Sequence, residues 1–86
     1  MVLFAGTLET CEGPIPCLGT YCADTGDGVI LCGRFRMEGF LTFTLRAEPI
    51  GVPSCHLEVR VHRIDTTARG RGFLMQYIVI GGPADA

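Results

Sequence analysis

The chain has 86 residues, 48% of them hydrophobic and 19% charged, a net charge of −2 and a mean hydropathy of +0.36. That length is one small domain, and a chain this apolar is not intrinsically disordered. The longest apolar stretch, Phe73 to Ile80, is interrupted by Gln76 and falls well short of the ~18–20 residues of a membrane-spanning helix.

In chain order the hydropathy pattern is that of strands. Val2 to Leu8 reads as a first strand. "TCEGPIPCLG" (10–19) carries two prolines and two glycines and reads as a loop or bent edge, because proline cannot donate to a ladder. Leu18 to Ala23 reads as a short second strand, and "DTGDG" (24–28) as a tight turn. Val29 to Met37 follows, with Phe35 and Met37 on one face and Arg34 and Arg36 on the other. Glu38-Gly39 is a further turn. "FLTFTLRAE" (40–48) alternates, with Leu41, Phe43 and Leu45 inward. "PIGVP" (49–53) connects to "CHLEVRVHRI" (55–64), where Leu57, Val59 and Val61 point inward and His56, Glu58, Arg60 and His62 outward. "DTTARGRG" (65–72) is a polar loop, and Phe73 to Ile80 is the last strand. Helical spacing is absent throughout. The expected fold is all-β: a single domain (1–86) forming a small antiparallel sandwich or partly open barrel of six or seven short strands.

The last strand raises a problem of cover. Phe73, Met75, Tyr77 and Val79 can fill a core, which leaves Leu74, Ile78 and Ile80 on the opposite face. Two three-stranded sheets supply one buried layer, so these three residues are expected to meet another chain. The reading that follows is a non-enzymatic module that self-associates or docks on a larger assembly as a coat, cement, filament or adaptor subunit.

Charge is unevenly distributed. Residues 1–33 hold Glu9, Glu12, Asp24 and Asp27 with no cation, whereas residues 34–71 hold seven arginines against four acids, a net of +3. An acidic start and a basic remainder suit a head-to-tail contact between copies. Arg34, Arg36, Arg46, Arg60 and His62 could share an outward face that binds anions or nucleic acid. Against this stand the overall negative charge and the lack of interleaved aromatics.

The five cysteines (11, 17, 22, 32 and 55) include no Cys-x-x-Cys pair. A metal set from Cys11, Cys17, Cys22 and His56 is conceivable, and disulfides would need an oxidising compartment and leave one cysteine unpaired; reduced, mostly buried thiols are the preferred reading. Cys55 and His56 are neighbours on a strand and point to opposite faces, so they form no dyad. Without hydrolase, zinc-protease, phosphate-loop or calcium-loop motifs, neither a catalytic residue nor a cofactor is expected. Glycines 26, 28, 70 and 72 are read as turn glycines.

"ARGRGFLMQY" (68–77), Cys32 followed by Phe35, and Cys55 followed by "HLEV" together resemble the closing half of CUB domains. That resemblance implies an extracellular, disulfide-bonded β-sandwich that binds partners. It lacks the family's tryptophan and fourth cysteine, and its acidic calcium-site residue is displaced to Glu58. The opening residues have neither a basic start nor a signal-length apolar run, which points instead to a cytosolic or virion-associated protein.

Overall fold

The computed structural model describes residues 1–37, 39, 41–47, 55–67 and 69–81. The "PIGVP" connection, Glu38, Phe40 and Glu48 lie outside the described residues. Six strands are present: β1 (Val2–Thr10), β2 (Gly13–Cys22), β3 (Asp27–Gly33), β4 (Thr42–Ala47), β5 (Cys55–Thr66) and β6 (Gly72–Gly81). All pairings are antiparallel and the order β1-β2-β3-β6-β5-β4 returns to β1. The fold is therefore all-β as expected, but it is a closed barrel instead of a sandwich or a partly open barrel. Closure depends on β1, which pairs with β2 on one side and β4 on the other, so neither is left as an edge.

Of the two readings for 10–19, a loop or a bent edge, the second fits residues 13–16: they open β2, paired on one side only. The prolines are tolerated for a positional reason. β2 pairs with β1 from Gly13, but its pairing with β3 starts only at Cys17. Pro14 and Pro16 thus occupy a stretch whose second side is open, where a missing N–H costs no ladder bond. After β3 the chain leaves the sheet at Arg34, earlier than expected. Phe35 still turns inward, meeting Phe43 and Phe73 edge-to-face with ring centroids 5.6 and 5.4 Å apart, and so stoppers one end of the barrel.

The interior is built in layers by the register. Leu8 of β1 faces Ile15 of β2 and Leu45 of β4, and Leu45 faces Leu57 of β5. Leu8 and Leu45 are completely buried. A six-stranded barrel has little internal width, so large side chains need small neighbours. Phe4 lies over Gly19, where an added Cβ would come within 2.5 Å of its ring. The buried Tyr77 similarly occupies the space beside Gly28 and donates its hydroxyl proton to the Thr20 carbonyl at 2.8 Å. Gly28 and Gly72 are therefore strand glycines, not the turn glycines expected, whereas Gly26 and Gly70 do serve turns with φ of 72° and 64°. Leu57, Val59 and Val61 point inward as expected. Leu41, expected inside, is exposed because it precedes β4. Beyond Val61 the pairing of β5 with β6 slips by one residue, a bulge that restores Ile64 to the inner face opposite Met75.

Candidate functional site

Among the described residues, the outer surface of β1, β2, β3 and β6 carries the largest run of uncovered apolar side chains. Leu18 of β2 faces Leu31 of β3, and Leu31 faces Leu74 of β6; Ala5 of β1 continues the line opposite Leu18. Directly opposed residues share a face of the sheet, so these form one transverse row. Leu18 is 58% exposed, Leu31 44% and Leu74 41%, and Leu3, two residues before Ala5, is 68% exposed. The four leucines alone expose roughly 400 Å², comparable to the largest patch on a typical monomer and more than scattered surface leucines would give. Between Leu3, Leu18 and Leu31 the surface sinks into a groove of about 290 Å³ with Gly19 and Val29 in its floor.

Of the three residues expected to lack cover, Leu74 belongs to this row. Ile78 and Ile80 are also open to solvent, at 42% and 48%, but stand further along β6, where Ile78 lies between Asp27 and Arg60. Leu3, Leu18 and Leu31 were not singled out from the sequence. Their signal was present in the alternation, since Ile30 and Cys32 are buried on either side of Leu31, but it required the β2–β3–β6 register to join them.

The five basic residues do not form one face. Arg34 leaves the end of β3, donates to the Gly70 carbonyl at 3.2 Å and lies over the Phe73 ring. Arg60 faces Ile78, six residues along β6 from Gly72, about 20 Å away at strand spacing. Arg46 pairs with Glu9 at 2.8 Å and contacts His56 at 2.9 Å. The backbone N–H of Arg36 donates to the Glu12 carboxylate. His62 sits instead in a second groove, of about 250 Å³, with Cys22, Asp27 and Gln76. The Glu9–Arg46 pair offsets part of the charge division within the chain, because closing the barrel sets β1 against β4.

The cysteines differ sharply. Cys17 and Cys32 are buried; Cys11 is exposed and Cys22 half-buried. Burial, and then the neighbouring Cys32, pushes the Cys17 thiol from its ordinary 9.0 up to about 11, and burial raises Cys32 as well. Cys22 is shifted down, by the Thr25 hydroxyl and then by the backbone N–H groups of Thr25 and Asp24. Iodoacetamide at pH 8 should therefore modify Cys22 well before Cys17 or Cys32 in the folded protein; equal rates would contradict the buried placement. Because the folded state holds the Cys17 proton more tightly than the unfolded chain, the urea midpoint should fall as pH rises from 9 towards about 11.

Among the described residues no group of three or more His, Cys, Asp or Glu side chains is placed to hold a metal ion, and no helix is long and apolar enough to cross a membrane. The closed barrel also departs from the sandwich that the CUB resemblance implied. Comparison with models of known protein families, with curated proteins and with solved structures gives no match to this chain.

Proposed function

We propose that this chain is a non-enzymatic β-barrel module that assembles with a second copy of itself through the outer face of β1, β2, β3 and β6. The observation that carries this reading is the opposed row Leu18–Leu31–Leu74, flanked by Leu3 and exposed on three successive strands. A row without charge is complementary to its own copy, which favours a two-fold contact in which the same patch meets itself. The size fits: the molecule measures 34 × 22 × 20 Å, and one long side is comparable to the roughly 800 Å² per partner of a standard interface. Complete burial of a leucine is worth about 1.5–3 kcal/mol. Four half-covered ones on each side can therefore offset part of the cost of association. Such a contact is what a coat, cement, filament or adaptor subunit needs.

Leu31→Glu places a charge at the centre of the row, on a side chain that faces away from the core. It should weaken self-association by roughly 100-fold, about 3 kcal/mol, while leaving the urea midpoint of the monomer nearly unchanged. Sedimentation velocity on wild type and variant gives the comparison. A variant that associates as tightly as wild type would end the proposal.

A further inference from the structure

Cys17 and Cys32 stand directly opposite each other across β2 and β3, both facing the interior and both free. The kind of pairing follows from the backbone. A Cβ on Gly72 would lie 2.4 Å from the Cys32 carbonyl oxygen, so that carbonyl is turned to β6; one on Gly19 would lie 2.5 Å from the Val29 carbonyl oxygen, which is turned to β2. Carbonyls alternate along a strand, which makes Cys17–Cys32 a non-hydrogen-bonded pair with Cα atoms about 4.5 Å apart. That spacing lies inside the range a disulfide spans, and both Cβ atoms project to the same side.

We propose that Cys17 and Cys32 are a disulfide-forming pair that staples the β2–β3 hairpin inside the barrel. With a small-molecule disulfide such as glutathione disulfide as oxidant, one protein thiolate attacks a reagent sulfur and releases one glutathione as thiolate. The second protein thiolate then displaces the other glutathione from the mixed disulfide. Two electrons pass to the reagent, two protons leave the cysteines, and the protein gains one S–S bond. The raised thiol pKa values and the burial make this exchange slow in the folded barrel and fast while the chain is still open. Once formed, the bond would close a loop around the 23–26 turn and be shielded from reductant.

The test is refolding from urea with glutathione disulfide, followed by digestion without reduction. Cleavage after Glu12, Leu18, Tyr21, Leu31 and Phe35 places Cys11, Cys17, Cys22 and Cys32 on separate peptides. A 13–18 peptide joined to a 32–35 peptide is expected, with a thermal midpoint roughly 10 °C above that of the reduced protein. A Cys11→Ser/Cys22→Ser/Cys55→Ala variant keeps only the two thiols in question and should become lighter by two hydrogens. Predominant pairing to Cys11, Cys22 or Cys55 in the wild type, or a persistent glutathione adduct on either buried thiol, would overturn the proposal. So would two free thiols after refolding.

Discussion

Gly28→Ala should destabilise the protein by about 3 kcal/mol or more, measured as a lower urea midpoint. The added methyl would lie 1.9 Å from the Thr20 carbonyl oxygen and 2.9 Å from the Tyr77 hydroxyl oxygen. Neither group is the free end of a flexible side chain. The carbonyl is backbone of β2, and the hydroxyl belongs to a fully buried tyrosine that donates to that same carbonyl. Relief requires β2 and β3 to separate or Tyr77 to leave its place, and overpacking of this kind costs about 1–3 kcal/mol even where a core can adjust. For a domain of this size, whose total stability is on the order of 5–10 kcal/mol, that is a large share. Gly33 is the control from the same strand: an added Cβ there meets nothing within 4 Å, and Gly33→Ala should change stability by less than about 1 kcal/mol.

Leu45→Ala should cost about 3–4 kcal/mol by the same measurement. Leu45 is completely buried and faces Leu8 across the β1–β4 seam and Leu57 across β4–β5. Among the described residues that seam comprises four pairs, Gly6–Ala47 to Glu9–Thr44. Truncation removes the transfer energy of the side chain and leaves a cavity beside the β1–β4 seam, a combination that costs about 2–5 kcal/mol in well-packed cores. Leu41→Ala, at an exposed position just before β4, should cost about 1 kcal/mol or less. Similar losses at both positions would mean that the β1–β4 seam does not exist in solution.

Much of the strand content could be read from the chain. The alternation in 41–47 and 55–61 assigned most side chains of β4 and β5 to the correct face, because period-two burial is a local property. Three features required long-range information. Closure joins residues 6–9 to 44–47, and nothing local to either segment marks the other as its partner. The prolines of β2 argue against a central strand unless the late start of β3 is known. The apolar row draws Leu18, Leu31 and Leu74 from three strands, and each leucine alone is indistinguishable from a core residue. Leu74 could be singled out because β6 is apolar on both faces, so half its side chains had to be outside. Grouping the basic residues failed for the related reason that a shared sign of charge says nothing about position along the barrel.

In the proposed assembly the leucine row on the outer face of β1, β2, β3 and β6 is covered by a second copy of the chain. Native mass measured by light scattering across a concentration series tests it most directly. The expected mass rises from 9.3 kDa to twice that value through the micromolar range and then levels off. A mass that stays at the single-chain value up to millimolar concentration would contradict it.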